Sequence, residues 1–168
     1  MSPATGYTYL IALGSNRPHH RHGTPAKVLL AALDRLEAEG LAVKARSPLI
    51  QSAPLGPSLR RYANGAALVT TRLDPPELLA LLKRVEREFG RRSGGRRWGS
   101  RVLDLDIVLW SGGHWSSPEL TIPHREFRKR SFVLDPAAAI APRWRDPVSG
   151  LSVRQLRARL TRLERLPR

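Results

Sequence analysis

The chain has 168 residues, of which 41% are hydrophobic, and this length suits one domain with a single packed core. The absence of cysteine excludes disulfide bonds and thiolate metal ligands, and the absence of an apolar run of about 18 residues argues against a membrane span. The formal charge of +15 has two explanations: arginine-rich codon usage, or an anionic partner such as a nucleic acid or a polyphosphate.

The first six residues carry no basic region followed by an apolar stretch, so we expect no secretory signal and a cytoplasmic location. Further along, hydrophobic spacing, N-cap residues, glycine and proline predict alternating strands and helices. In chain order we predict a strand at 7–13, a helix from 24 to 40, strands at 41–52 and 62–72, a helix from 74 to 90, a strand at 102–110, an extended segment at 117–124, and helices at 132–140 and 151–166.

The order strand, helix, strand, strand, helix, strand is typical of a ferredoxin-like βαββαβ sandwich, so the predicted fold class is α+β. A short strand and helices form a C-terminal extension. Its last part, residues 151–168, is a basic amphipathic helix with six arginines and one glutamate. Since no linker or repeat divides the chain, we expect residues 1–168 to form a single domain.

Asp104 and Asp106 are the first candidate functional residues, because they alternate with apolar residues on the predicted strand at 102–110. Alternation places both carboxylates on one face, with their Cα atoms roughly 6.6 Å apart. Two carboxylates that close repel each other unless a cation lies between them, and Mg²⁺ takes one or two carboxylates together with water and phosphate oxygens. The alternative is an ordinary half-exposed strand with an acidic outer face.

The segment 91–101, just before this strand, contains five arginines and three glycines. Arginine offers paired, planar donors to phosphate oxygens, and glycine permits the segment to move. Together with Asp104 and Asp106 it predicts a site for a metal-bound polyphosphate. The alternative is a solvated basic loop.

Further candidates lie on either side of this region. His124 follows a proline and precedes a basic stretch, so it is either a phosphate ligand or a structural hydrogen-bonding residue. Tyr62 and Asn64 share a face of the predicted strand at 62–72. A ring beside an amide suits a flat heteroaromatic substrate, although a packed tyrosine and a turn asparagine explain these two residues equally well.

With these residues assembled, the sequence closely resembles the 6-hydroxymethyl-7,8-dihydropterin pyrophosphokinase family of folate biosynthesis, from about residue 9 to residue 142. The most specific match is R-W-G-x-R-x-L-D-L-D-I at 97–107, followed by I-P-H at 122–124. The other matching motifs are A-L-G-S-N at 12–16, A-P-L-G-P at 53–57, Y-x-N at 62–64 and R-x-F-V-L at 130–134.

The resemblance implies transfer of pyrophosphate from MgATP to the hydroxymethyl group of the pterin, with release of AMP. By the same resemblance, Asp104 and Asp106 bind two Mg²⁺ ions. The residues expected to take part in catalysis are Arg91, Arg101 and Asp106. The expected nucleotide contacts are Glu86, Trp98, Ile107, His124 and Arg130. The expected pterin contacts are Ser52, Leu55, Tyr62, Asn64 and Phe132.

A few positions depart from the family pattern. Residues 17–23 form a longer, histidine-rich insertion, for which a metal role is not favoured because no other ligand accompanies the histidines. Ser100 stands where proline is usual, and Arg125 follows His124 where proline or tyrosine is usual. None of these departures removes a residue that the implied chemistry needs.

The main alternative from another class is a nucleic-acid-binding ferredoxin-like module, which the net charge and the order of elements allow. Against it, the predicted strands lack interleaved aromatic residues that stack on bases. We therefore expect ATP and 6-hydroxymethyl-7,8-dihydropterin as partners, with no membrane and no nucleic acid. The basic helix at 151–168 has three explanations: it docks on the sandwich with its basic side exposed, which we favour, it contacts another enzyme of the folate pathway, or it is a solvated face.

Overall fold

The computed structural model describes residues 6–52, 62–90 and 102–167. The strands in chain order are β1 (Tyr7–Ser15), β2 (Ala42–Arg46), β3 (Ile50–Ser52), β4 (Tyr62–Thr71), β5 (Asp104–Trp110), β6 (Trp115–Ser116) and β7 (Thr121–Ile122). The helices are α1 (Pro25–Ala38), α2 (Pro75–Glu88), α3 (Ser131–Ile140) and α4 (Val153–Glu164), with a 3-10 turn at Phe127–Lys129.

The main sheet has the strand order β2-β4-β1-β5, and β3 pairs with β4 next to β2. The pairings of β1 with β4 and β5, and of β4 with β2 and β3, are antiparallel. The predicted α+β class is therefore confirmed. The predicted strand at 41–52 is two strands, because the chain leaves the ladder around Pro48 and re-enters it as β3.

The first face of the sheet is covered by α1 and α2. Both helices begin with a side-chain cap followed by proline, and in α2 the Asp74 and Glu77 side chains form a reciprocal capping box. Their leucine-rich faces pack on alternate residues of the central strand, Tyr9, Ile11 and Leu13, and form the larger core. The helices thereby support β1, β4 and β5 from one side.

The second face is covered at one end by α3 and α4. Leu10 and Leu109 of the sheet pack there with Leu134 of α3 and Val153 of α4. A bulge in β5 contributes to this core, because Leu10 pairs with Leu109 while Ile11 pairs with Ile107. The bulge places Val108 and Leu109 in the same second core and ends the simple alternation of the strand.

The extended segment predicted at 117–124 contains β7. This strand pairs with β6 in a two-stranded hairpin, in which Trp115 pairs with Ile122 and Ser116 with Thr121. Among the residues that the structure describes, no helix combines the length and the apolar character needed to cross a membrane.

Candidate functional site

Asp104 and Asp106 lie on the second face of β5, as alternation predicted. Between and beyond them, Leu105 and Ile107 are buried in the larger core on the first face. Asp104 is half-buried and Asp106 is exposed. The two carboxylates therefore face outward from an ordered strand whose other side is anchored in the protein interior.

Tyr62 and Asn64 lie on the same face as the two aspartates. Asn64 of β4 is opposite Gly14 of β1, and Gly14 is opposite Asp104 of β5, so these three residues form one row across the sheet. Neighbouring strands are about 4.8 Å apart, which puts β4 and β5 about 9.6 Å apart at this row. Tyr62 and Asn64, the candidate residues for a flat substrate, are thus one strand away from Asp104 and Asp106, the candidate metal ligands.

That central strand presents small residues to the site. Ala12 is opposite Asp106, and Gly14 is opposite Asp104. A Cβ atom added to Gly14 would lie 3.4 Å from Oδ1 of Asn64 and 3.8 Å from Cδ1 of Tyr62. The bare backbone at Gly14 therefore forms the floor between the two groups of residues. This role of Gly14 is not among the sequence predictions, although the A-x-G spacing within A-L-G-S-N is its local signal.

His124 is held beside Asp106 by main-chain hydrogen bonds. Its N–H donates to the carbonyl of Val108 at 3.0 Å, and its Nδ1 accepts from the N–H of Glu126 at 3.1 Å. Because Nδ1 is an acceptor, the proton of the neutral ring belongs on Nε2. Burial lowers the pKa of His124, Asp106 opposes that shift and Arg130 reinforces it. The ring is therefore a neutral donor next to the aspartates.

Arg130 and Phe132 stand at the start of α3, which packs against β3 and β4 on the second face. The Arg130 guanidinium carbon lies 5.7 Å from the centre of the Phe132 ring. Phe132 is half-buried and contacts the second core. Both residues thus lie at the N-terminal end of a helix that packs on the face carrying Tyr62 and Asn64.

Two other predicted nucleotide contacts are buried. The Ile107 side chain is 3% exposed and packs in the larger core, so any contact that it makes with a nucleotide uses its main chain. Glu86 of α2 is 4% exposed, and its Oε1 accepts from the N–H of Leu105 at 2.8 Å. The structure therefore places Glu86 against the main chain of Leu105, the residue that lies between the two aspartates in sequence.

Of the remaining predicted site residues, the structure describes Ser52. Ser52 belongs to β3 and is opposite Tyr62 of β4. The residues that lie outside the described part of the chain are Leu55, Arg91, Trp98 and Arg101. Their roles stay predictions from the sequence.

The histidine-rich insertion lies at the C-terminal end of α2. The rings of His19 and His20 stack with their centres 4.4 Å apart, and the ring of His22 stacks on Phe89 at 5.0 Å. Burial, followed by the neighbouring His20, His22 and Arg21, lowers the pKa of His19. Phe89 ends α2, so this stacked group packs against the helix that carries Glu86.

The chain is similar to proteins of one family along most of its length. The family model of 7,8-dihydro-6-hydroxymethylpterin-pyrophosphokinase matches residues 10–142. A Synechocystis 2-amino-4-hydroxy-6-hydroxymethyldihydropteridine pyrophosphokinase is 41% identical over 117 residues, which is 70% of this chain and 60% of that protein. The protein of the same name from Pseudomonas aeruginosa is 43% identical over 138 residues, 82% of each chain.

Solved structures show the same fold. Wild-type HPPK-DHPS from Plasmodium falciparum superposes with a TM-score of 0.73 at 13% identity, covering 95% of this chain and 42% of that one. This chain therefore spans less than half of the Plasmodium chain, and that likeness concerns the fold alone. The sequence matches carry the assignment further and confirm the resemblance seen in the motifs: the chain belongs to the 7,8-dihydro-6-hydroxymethylpterin-pyrophosphokinase family.

Proposed function

We propose that this protein transfers the pyrophosphoryl group of ATP to the hydroxymethyl group of 6-hydroxymethyl-7,8-dihydropterin and releases AMP, as a step in folate biosynthesis. One observation carries the proposal: Tyr62 and Asn64 face the same space as Asp104 and Asp106, with Gly14 between them. A residue pair suited to a flat acceptor thus stands one strand away from a carboxylate pair. The names of the bacterial relatives, all pyrophosphokinases of a hydroxymethyldihydropteridine, support the same reaction.

The fold proposed for this site is the ferredoxin-like sandwich. Counting β2 and β3 as one broken strand, the four positions in chain order are β1, β2/β3, β4 and β5. The observed order β5-β1-β4-β2 then corresponds to the order 4-1-3-2, with α1 and α2 on one face. This arrangement supports the finer assignment and brings the first, third and fourth strands together at the site.

Asp104 and Asp106 are the residues that would hold two Mg²⁺ ions. They fit, because both point from an anchored strand to one open face, and Asp106 is exposed. No group of three or more metal-binding side chains occurs in the described ranges, which agrees with a cation that completes its shell with water and phosphate oxygens. When bound, Mg²⁺ supplies positive charge that neutralises the phosphate oxygens.

The protein's own residues then orient the nucleotide. His124 presents an N–H at Nε2, because its Nδ1 is already used as an acceptor. Arg130 adds a guanidinium on the same side, near enough to lower the pKa of His124. We assign both residues to phosphate oxygens of ATP. Arg91 and Arg101, with Trp98, are proposed to close over the phosphates from the segment before β5.

The acceptor is proposed to lie flat on the other side of Gly14. The rings of Tyr62 and Phe132 offer faces for stacking, and Asn64 offers a donor and an acceptor to the amide-like edge of the pterin. The main chain at Ser52 and Leu55 would complete the edge contacts. Asp106 would lie near the attacking hydroxyl, so that the oxygen and the phosphorus are aligned before reaction.

The test is calorimetric binding of a non-hydrolysable ATP analogue, with and without Mg²⁺ and 6-hydroxymethylpterin. We expect Mg²⁺-dependent binding of the analogue by the unaltered protein and its loss in Asp104→Ala. Asp34→Ala, an exposed aspartate on α1, is the matched control and should bind normally. Binding that ignores Mg²⁺, or normal AMP release by a folded Asp104→Ala protein, would contradict the proposal.

Other expectations are proposals of smaller scope. The Arabidopsis folate synthesis bifunctional protein is 39% identical to this chain over 134 residues, which are 23% of its own length. Such longer relatives support a contact between this protein and another enzyme of the pathway.

The nucleic-acid alternative is not favoured, because the exposed carboxylate of Asp106 on the sheet would repel a nucleic-acid backbone. The single domain over 1–168 and the cytoplasmic location stay predictions.

A further inference from the structure

Glu86 is an exception on its helix. The buried face of α2 is otherwise apolar, with Leu78, Leu82 and Val85 in the larger core, yet Glu86 is 4% exposed beside them. Burying a carboxylate is unfavourable unless hydrogen bonds compensate for the lost water. One such bond runs from the N–H of Leu105 to Oε1 of Glu86 at 2.8 Å. The carboxylate is therefore engaged with the main chain of β5.

The hydrogen bond between Leu105 and Glu86 lies at the outer edge of β5. Within the described part of the sheet, β5 pairs with β1 alone, so it is an edge strand there. An edge strand directs every second N–H away from its neighbour and leaves it without a ladder partner. Glu86 provides the acceptor for one of these groups, and the group belongs to the residue between Asp104 and Asp106.

We propose that Glu86 is a positioning residue of the metal site, an inference that rests on the function proposed above. The N–H of Leu105 lies in the same rigid peptide plane as the carbonyl of Asp104. Holding that plane fixes the direction in which the chain leaves Asp104 and enters Leu105, the residue that precedes Asp106. The two carboxylates are thereby kept at one separation and one orientation, and cation binding does not have to order them.

This role differs from the nucleotide contact that the family resemblance suggests for Glu86. The observed partner of Oε1 is the main chain of β5, and the side chain is almost fully enclosed. The negative charge of Glu86 is a second way in which it could favour cations. The hydrogen bond and the charge can be separated by substitution, because glutamine keeps the acceptor and loses the charge, whereas aspartate keeps the charge and loses the reach.

The experiment compares Glu86→Gln and Glu86→Asp with the unaltered protein. Binding of a non-hydrolysable ATP analogue is measured by calorimetry over a range of Mg²⁺ concentrations, and bound Mn²⁺ is counted by electron paramagnetic resonance in the presence of the analogue. We expect the Glu86→Asp protein to need about 10-fold more cation, as is usual when a residue supporting a metal ligand is lost. The Glu86→Gln protein should stay close to the unaltered one.

Glu88→Gln is the matched control, since Glu88 lies on the same helix and pairs with Arg35 at the surface. It should leave the cation requirement unchanged. Thermal unfolding and circular dichroism check that each variant is folded. Affinity for the analogue at saturating Mg²⁺ should be equal in all four proteins, because a positioning residue does not touch the nucleotide.

Several results would overturn the inference. If the Glu86→Gln protein needs more cation than the Glu86→Asp protein, the charge of Glu86 and not its hydrogen bond favours cation binding. Weaker binding of the analogue to the Glu86 variants at saturating Mg²⁺ would indicate that Glu86 contacts the nucleotide directly. An unchanged cation requirement in both variants would exclude the positioning role while leaving the proposed function intact. Failure of the unaltered protein to bind the analogue with Mg²⁺ would overturn the proposed function itself.

Discussion

The second face of the sheet is divided into a closed end and an open end. At the closed end, Leu10 and Leu109 are covered by Leu134 and other apolar residues of α3 and α4. At the open end, β5 carries Asp104 and Asp106, and the face is exposed to solvent at Asp106. One continuous sheet therefore provides a packed core and a candidate reaction site on a single surface.

The difference between the two ends depends on residue size as well as on polarity. The central strand changes from Leu10 at the closed end to Ala12 and Gly14 at the open end. A large side chain at Gly14 would occupy the space between Asn64 and Asp104. The sheet therefore leaves room for a ligand because its central strand β1 carries small side chains at the open end. The neighbouring strands β4 and β5 carry the functional groups there.

The largest expected effect on the open end is that of Asp106→Ala. Because Asp106 is exposed and lies near Asp104, its removal relieves repulsion and should leave the melting temperature unchanged or slightly higher. AMP release should fall by about 1000-fold, since a charged group that acts on the transition state is lost. Near-normal turnover would show that the open end is not the reaction site.

The corresponding change at the closed end is Leu134→Ala. Leu134 is fully buried, so the truncation should reduce the free energy of unfolding by about 2–5 kcal/mol. Turnover per folded molecule should stay near normal well below the melting temperature. Chemical denaturation and AMP release measured on the same sample separate the two quantities. A large loss of turnover in fully folded protein would mean that the two ends are not independent.

The residues of the open end could be predicted from the sequence only where the signal lies in residues that are close together in the chain. Asp104 and Asp106 were placed on one face because strand alternation depends on neighbouring residues alone. The start of α2 was foreseen from Asp74 and proline for the same reason. The confirmed family and the α+β class followed from motifs and from the order of elements.

What could not be foreseen depends on pairing between distant segments. Gly14 is a floor because β1 lies between β4 and β5 in one particular register, and no local pattern specifies that register. Glu86 was expected at the nucleotide, but its contact with Leu105 depends on how α2 packs against β5. The bulge near Val108 likewise appears only once β1 and β5 are aligned.

A smaller effect is expected from Gly14→Ala, which tests the floor directly. The new Cβ would contact Asn64 and Tyr62 without steric conflict, so the fold should persist. It would reduce the space for a flat acceptor, and we expect the KM for 6-hydroxymethyl-7,8-dihydropterin to rise about 10-fold. Steady-state kinetics at saturating MgATP measure this change. Affinity for the ATP analogue should be unaffected, and a change there instead would place the floor under the nucleotide.

The smallest expected effect concerns the closed end and its dependence on pH. Asp146 is fully buried and joins the C-terminal segment to the 3-10 turn, because the Arg128 guanidinium donates two hydrogen bonds to it at 2.6 and 2.8 Å. Burial alone would raise the pKa of Asp146. Hydrogen bonds from Arg128, Ser149 and the Val148 N–H outweigh burial and hold the pKa well below its ordinary value.

The sign of the pH effect follows from that lowered pKa. A carboxyl that is more acidic in the folded state stabilises the fold fully above its ordinary pKa of about 4, and this stabilisation is lost as the pH falls toward the folded-state pKa. Its loss is limited to about 1.4 kcal/mol per pH unit. The stability gap between the unaltered protein and Asp146→Asn should therefore be constant from pH 7 to 5 and narrow between pH 4 and 3. Denaturation curves at each pH test this, with the exposed Asp34→Asn as control. A constant gap down to pH 3 would mean that the ionised form of Asp146 is not what holds the closed end together.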